Sequence, residues 1–293
     1  MDASHLRSVR RFNRLVTQRV GALEVDYLRR GRPLAEARLI FEINAEGADV
    51  RALRCKLGLD SGYLSRLVQS LKTQGLIAVT KGDDDGRRRH VNLTRKGAAE
   101  RAAYDRLSDN LAESMLDPLG ASEQTRLVAA MGEVERLIRA ASVKVAAESP
   151  DTADARLCLG AYFRELAARF ESGFDARTGD HADVEDMTPP SGLFVIARLD
   201  GDAVGCGGLK RVDKATGEIK RVWTAPSARG MGIARRMLRT LEAAAREKGL
   251  KTLRLDTNRA LTEAHALYRS EGYREVARFN DNPYAHHWFE KRL

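Results

Sequence analysis

The chain has 293 residues, 43% apolar and 31% charged, so it can bury sizeable cores in two domains beneath a well-solvated surface. No apolar run approaches a membrane span, and the start Met1-Asp2-Ala3-Ser4 lacks the apolar stretch of a signal peptide. Cys55, Cys158 and Cys206 are isolated, without metal-ligand spacing, so a cytoplasmic protein with reduced thiols, no metal and no membrane partner is expected.

Net charge is +9, and between Arg51 and Lys96 eleven Lys or Arg stand against four Asp, an excess that fits a polyanion partner. Leu6, Val9, Phe12, Leu15, Val16 and Val20 step by three and four, which predicts a helix over about 4–28. Pro33 opens a second helix, Leu34–Ala45, as proline does in a first turn. Asp49 caps a third, Val50–Leu57, and Gly58 breaks it. Asp60 or Ser61 caps a fourth that runs to Gln74, where Gly75 stops it. On this fourth helix Leu64, Leu67, Val68 and Leu71 share one face, and Ser61, Ser65, Arg66, Gln69 and Thr73 share the other. Short helix, tight turn, longer helix is the order in which a second helix enters a DNA major groove. Arg66 and Gln69 suit base edges there, and the Ser61 and Ser65 hydroxyls suit phosphates.

Leu76–Thr80 and His90–Leu93 read as strands of a hairpin whose tip is Lys81-Gly-Asp-Asp-Asp-Gly-Arg-Arg-Arg89. Arg87, Arg88 and Arg89 repel one another until phosphates or a narrow minor groove neutralise them. The alternative is a solvated turn balanced by its own three aspartates. Together the helix Asp60-Ser-Gly-Tyr-Leu-Ser-Arg-Leu-Val68, the Gly75-Leu76 exit and the hairpin ending Leu93-Thr94-x-x-Gly97 resemble the MarR family of winged-helix repressors. The resemblance covers roughly residues 4–141. It places the family's wing pair on Asp85 and Arg87, and it implies a mainly α winged helix-turn-helix domain that binds a double-stranded DNA operator as a homodimer. Two long helices follow, Arg95–Leu116 and Ser122–Ala141, the second with a stripe of Leu127, Met131, Val134, Leu137 and Ile138. The family dimerises through its first and last helices, and packing within one chain is the alternative use of these stripes.

The expected boundary falls after Ala141, giving domains 1–141 and 142–293. Ser142–Ala147 alternates like a strand, the helix Ala153–Phe170 follows, and Ser172–Ser191 is the flexible candidate. Three alternating strands come next: Leu193–Leu199, Ala203–Val212 and Glu218–Thr224. Then Arg229-Gly-Met-Gly-Ile-Ala234 opens a helix with apolar Ile233, Met237, Leu238 and Leu241. Two glycines at a strand-to-helix turn let several N–H groups converge at the positive end of the helix dipole, which binds a pyrophosphate. A strand, Thr252–Thr257, and a helix, Leu261–Glu271, with Ala264, Leu267 and Tyr268, lead to Gly272-Tyr273.

Arg229, Gly232 and Ala234, followed by Ala264, Tyr268, Gly272 and Tyr273, resemble the two motifs of the GNAT acyltransferase superfamily, which uses acetyl-CoA. The resemblance implies an α/β fold with a mixed sheet and acetyl-CoA as cosubstrate. It puts the diphosphate on the N–H groups of Arg229, Gly230, Met231, Gly232, Ile233 and Ala234, and the pantetheine arm on Val222, Trp223 and Thr224. It also makes Tyr268 the proton donor to the departing thiolate, and lets Glu218, on the strand facing the acceptor, take the amine proton. Many relatives carry an Asn where this chain has Leu261, and the nearby Asn258 is out of register for that role. Asn282, Tyr284 and His286 are acceptor-side candidates. His286-His287 is not a metal pair, since neighbours on a strand point to opposite faces. Two readings follow. One is a DNA-binding transcriptional regulator that also acetylates an amine acceptor, cytoplasmic and nucleoid-associated when DNA-bound. The other is a regulator whose GNAT domain is a non-catalytic acetyl-CoA or effector sensor.

Overall fold

The computed structural model describes residues 2–81, 89–171, 173–175 and 186–293. It divides into two compact units, Met1–Ala130 and Met131–Leu293. The N-terminal unit begins with α1 (Ala3–Arg19), whose N-cap Asp2 accepts from the Ser4 backbone N–H at 2.8 Å. The helix stops well before Leu28. Gly21 turns the chain at φ +66, and Leu28 itself is left-handed at φ +52 inside a short 3-10 turn. No residue of α1 is buried, and the stripe Leu6, Val9, Phe12, Leu15 and Val16 stands open along it.

α2 (Leu34–Glu42) is shorter than its apolar pattern, because Ile43 is extended and Asn44 and Gly47 form a bridge. β1 (Ala48–Asp49) leads into α3 (Val50–Leu57), where Asp49 accepts from the N–H groups of Arg51 and Ala52 and Gly58 ends the helix at φ +63. Asp60, not Ser61, caps α4 (Ser61–Thr73) by accepting from Tyr63 N–H at 2.9 Å. β2 (Ile77–Lys81) and β3 (Arg89–Leu93) pair antiparallel, and β1 adds to the far edge of β3. α5 (Arg95–Leu116) starts from its cap Thr94.

Leu39, Ile40, Leu64, Leu71, Leu76 and Val91 form the centre of this core, each burial stabilising by about 1.5–3 kcal/mol. The polar groups that must come inside are paired. Glu36 accepts from Ser70 Oγ at 2.7 Å and Gln74 Nε2 at 2.9 Å, which ties α2 to α4. Glu100 accepts from Arg30 at 2.6 Å and Arg32 at 2.7 Å. The Arg30 hydrogen bond first, working against burial, holds the Glu100 carboxyl below the usual carboxylate range.

α6 (Ala121–Ser142) precedes the sheet of the C-terminal unit. That sheet uses β4 (Lys144–Ala147), β5 (Gly192–Leu199), β6 (Asp202–Arg211), β7 (Thr216–Thr224), β8 (Thr252–Thr257), β9 (Arg274–Val276) and β10 (His287–Arg292). Their order is β4-β5-β6-β7-β8-β10-β9, antiparallel except where β7 meets β8. α7 (Ala153–Arg169) packs Cys158 and Leu159 with Phe194, Ile196 and Cys206 of the sheet. α8 (Ile233–Glu247) packs Met237, Leu238 and Leu241 with Val195, Leu209, Leu253 and Leu255 in a separate cluster. α9 (Thr262–Ser270) joins that second cluster through Tyr268.

The parallel contact between β7 and β8 is short. Only Thr216, Gly217 and Glu218 pair, with Thr252, Leu253 and Arg254, while β8 continues to pair with β10 as far as Thr257. Beyond Glu218 the two strands part and leave a gap between them.

Candidate active site and nucleic-acid surface

The gap holds a cavity of about 400 Å³. Ile219, Lys220, Arg221 and Val222 line it from β7, Asp256 and Thr257 from β8, and Tyr268 from α9. Burial pushes the Tyr268 hydroxyl well above the ordinary phenol value, with the nearby Tyr162 and Asp256 adding to the shift, so it stays a proton-bearing donor at neutral pH. Its ring packs against Tyr273 and Phe289, each centroid 5.9 Å away. Tyr162, in the same lining, is pushed up for the same first reason.

Glu218 is buried at the point where the strands part and is outside the cavity lining. Lys220 Nζ lies 2.9 Å from Glu218 and 3.2 Å from Asp256, so the two carboxylates share one ammonium. Asp256 does line the cavity, and it also accepts from Asn280 Nδ2 at 2.8 Å and Asn282 Nδ2 at 2.7 Å. Asn282 and Tyr284 belong to the lining, and His286 does not. Asn258 lines the cavity with its amide committed, Nδ2 donating to the Tyr284 carbonyl at 2.7 Å and Oδ1 accepting from Ala260 N–H at 2.9 Å.

At the outer end of β7 the chain passes through a 3-10 turn, Pro226–Ala228, into the glycine loop. Gly230 and Gly232 have φ +77 and +70, and Gly232 is the N-cap of α8 with no side-chain bond to the helix's first N–H groups. A Cβ at Gly232 would meet nothing within 4 Å, whereas one at Gly230 would come within 3.0 Å of Arg136 Nη1, so a guanidinium stands beside the loop. That arrangement fits a diphosphate. Arg229, by contrast, turns inward: Nη2 donates to Glu165 Oε2 at 2.5 Å and Nε to the Thr224 carbonyl at 3.2 Å. Trp223 Nε1 donates to the same Glu165 oxygen at 2.9 Å, and Arg169 reaches the other at 3.1 Å. Burial raises the Glu165 pKa, but these three donors outweigh it and hold the carboxyl below the usual range. Val222 reaches the cavity lining, whereas Trp223 and Thr224 are outside it.

Glu165, Asp256 and the aromatic residues Phe163, Phe170 and Phe174 escape sequence reasoning. Glu165 sits on a helix of weak amphipathicity with only its i,i+4 partner Arg169 as a signal. Asp256 looks like one polar position of an alternating strand.

In the N-terminal unit Ser61, Ser65, Arg66 and Gln69 all lie on the exposed side of α4. The Arg66 guanidinium stands 5.6 Å from the Tyr63 ring centroid, and Gln69 Nε2 is 3.4 Å from Thr73 Oγ1. Arg89 opens β3, exposed, opposite Lys81. Asp85, Arg87 and Arg88 lie outside the described residues.

Comparison with known proteins agrees with both halves. The model of the acetyltransferase (GNAT) family matches residues 161–273, and that of the MarR family matches residues 30–88. An IAA acetyltransferase of Azospirillum brasilense is 34% identical over 139 residues, 47% of this chain and 88% of that protein. The uncharacterized N-acetyltransferase YjgM of Escherichia coli is 29% identical over 90 residues, 30% of this chain and 54% of that protein. An acetyltransferase of the GNAT family from Staphylococcus aureus is similar in structure at 17% identity, covering 52% of this chain and 99% of that one, with a TM-score of 0.44. Through its C-terminal part the chain therefore belongs to the acetyltransferase (GNAT) family, as an N-acetyltransferase that carries a MarR-family region in the same polypeptide.

Proposed function

We propose that the protein is a DNA-binding transcriptional regulator that also acetylates a small amine. The observation that carries the catalytic half is the open, uncapped glycine loop at one end of β7 together with Tyr268 in the cavity beside the same strand. Acetyl-CoA, when bound, supplies the acetyl thioester. The N–H groups of 229–234 hold its diphosphate, and the end of β7 from Val222 to Thr224 guides its pantetheine arm to the cavity. The amine nitrogen bonds to the acetyl carbon as the carbon–sulfur bond breaks. Its proton passes to the carboxylate pair of Glu218 and Asp256, bridged by Lys220, and Tyr268 gives its proton to the departing thiolate. Arg229 serves as the loop's anchor to Glu165.

The regulator half rests on the exposed polar face of α4 and the basic excess around it. Residues 1–141 bind duplex DNA with α4 in the major groove, Arg66 and Gln69 at base edges, and Ser61, Ser65 and the wing arginines at phosphates. The unburied stripe of α1 supports a homodimer, which would bury Leu6, Val9 and Phe12. The setting is the cytoplasm, with DNA holding the protein at the nucleoid.

The deciding experiment follows free-thiol release from acetyl-CoA by the full chain across amino acids, polyamines, aminoglycosides and peptide N-termini, with calorimetry of acetyl-CoA alongside. Turnover with one class of amine, and loss of cofactor binding in folded Gly232→Asp, support the reading. Tight acetyl-CoA binding with no acetylated amine, and a change in DNA affinity on binding, would make the C-terminal half a sensor.

A further inference from the structure

From Met131 on, α6 belongs to the C-terminal unit, and its end is fastened to the start of α8. Arg236, whose N–H closes the first turn of α8 on the Gly232 carbonyl, reaches back with its side chain. Nη1 donates to the Ala140 carbonyl at 2.6 Å and Nη2 to the Val143 carbonyl at 2.5 Å. Ala140 lies in the last turn of α6 and Val143 just past it, where helix carbonyls run out of internal partners and favour a cation. Arg136 stands one turn before Ala140, so the two share a face of α6. That face meets the glycine loop. A Cβ built on Gly230 would come 3.0 Å from Arg136 Nη1 and 4.0 Å from its Cδ. Gly230 has φ +77, which leaves the position to glycine, and the guanidinium stands where a side chain would otherwise project.

A diphosphate brings two negative charges to this loop, and the end of a helix offers only about half a positive charge against them. The arginines around the loop differ in how firmly they are held. Arg229 is committed to Glu165 and to the Thr224 carbonyl. Arg235 and Arg239 of α8 share Glu271, at 2.7 and 2.8 Å. Arg236 is held by the two carbonyls of the α6 end. Arg136 is ion-paired too, with Glu133 three residues earlier on the same helix. Exposure separates these pairs. The Glu165 side chain is 19% exposed, whereas those of Arg136 and Glu133 are 44% and 48% exposed. An exposed pair within one helix contributes little, so Arg136 can exchange Glu133 for a doubly charged ligand at small cost.

Resting on the cosubstrate reading above, we propose that Arg136 is a phosphate-binding residue for acetyl-CoA, its guanidinium leaving Glu133 and taking the diphosphate oxygens beside Gly230 as a planar fork. The loop supplies the N–H groups, and the helix before the sheet supplies the full charge.

The test is calorimetry on the full chain with acetyl-CoA and with its 3′-dephospho form, which keeps the diphosphate. Arg136→Gln should bind both about ten-fold more weakly than the wild type, the loss of one charge-assisted contact at a partly exposed position. Arg136→Lys, which keeps the charge and loses the fork, should lie between. Equal affinity of the wild type and Arg136→Gln overturns the inference. A loss seen with acetyl-CoA and not with the dephospho form also overturns it, since the charge would then serve the 3′-phosphate.

Glu133→Gln separates contact from structure. Without the carboxylate Arg136 has less to give up, so acetyl-CoA should bind as tightly as to the wild type or about two- to three-fold more tightly. If Glu133→Gln weakens binding as much as Arg136→Gln does, the pair acts by shaping α6 and the inference falls. A wild-type chain that binds no acetyl-CoA overturns both this inference and the reading beneath it. Binding that is lost in Gly232→Asp and unaltered in Arg136→Gln overturns this inference alone.

Discussion

Arg229 Nη2 lies 2.5 Å from Oε2 of Glu165, so the arginine at the start of the glycine loop faces the protein's own carboxylate. The same oxygen accepts from Trp223 Nε1 at 2.9 Å. One carboxylate on α7 thus anchors both the end of β7 and the start of the loop. Changing Glu165 to Ala takes this acceptor from three donors, Arg229, Trp223 and Arg169. Stability should fall by about 1–3 kcal/mol, read from a urea melt, and acetyl-CoA should bind several-fold more weakly by calorimetry. A variant with wild-type affinity would mean that the loop holds its shape without the anchor.

Tyr268→Phe keeps the ring packed against Tyr273 and Phe289 and removes only the hydroxyl. Cofactor affinity should stay near wild type while turnover falls by about 10²–10⁴-fold, the loss expected when a general acid is removed. Measured by thiol release, a fall of about ten-fold or less would show water replacing the tyrosine, and Tyr162 would then be the next residue to change.

Glu100 links stability to pH. Its carboxyl is held low mainly by the Arg30 hydrogen bond, so its contribution is fully present above the ordinary glutamate value of about 4.3 and is lost as pH falls through the lowered folded value. Glu100→Gln should cost about 2–4 kcal/mol at pH 7, because Arg32 is left partly buried without its charge partner. The gap between wild type and variant should narrow as the pH is taken below 4. Urea melts at pH 7 and at pH 3.5 measure it, and an equal gap at both would remove Glu100 from the acid transition.

For DNA, Arg66→Ala should cost about 1–3 kcal/mol at a matched operator and less at a mismatched one if the side chain reads a base edge. Arg89→Ala should weaken all duplexes alike and lower the slope of log affinity against log salt by about one. Fluorescence anisotropy over a salt series separates the two, and an identical loss of Arg66→Ala at both operators would make it a phosphate contact.

The elements with local signals were readable from the sequence. Asp49 and Gly58 bracket α3, the four leucine and valine positions of α4 are its buried face, and Gly230 and Gly232 mark the loop because few other residues adopt φ near +70. The end of α1 was not, since an apolar stripe continues to Val20 whereas the turn at Gly21 has no periodic signature. The cavity was the least legible part. Its wall joins Phe163 and Phe170 of the α7 region with Phe174 and with Tyr284, more than a hundred residues later, and only the tertiary fold brings these together. Glu218 and Asp256 become a pair only because Lys220 lies between them.

Among the described residues β9 joins the sheet only through β10, and β10 lies between β9 and β8. A strand made earlier must therefore wait for one made later. On the ribosome, residues 274–286 have no place in the sheet until His287–Arg292 leave the exit tunnel, and those residues include Asn280, Asn282 and Tyr284 of the cavity wall. The N-terminal sheet needs nothing beyond Leu93. In the life of each molecule the MarR-family region has its strands long before the cavity wall is complete, so a nascent or truncated chain holds the first sheet without the second site.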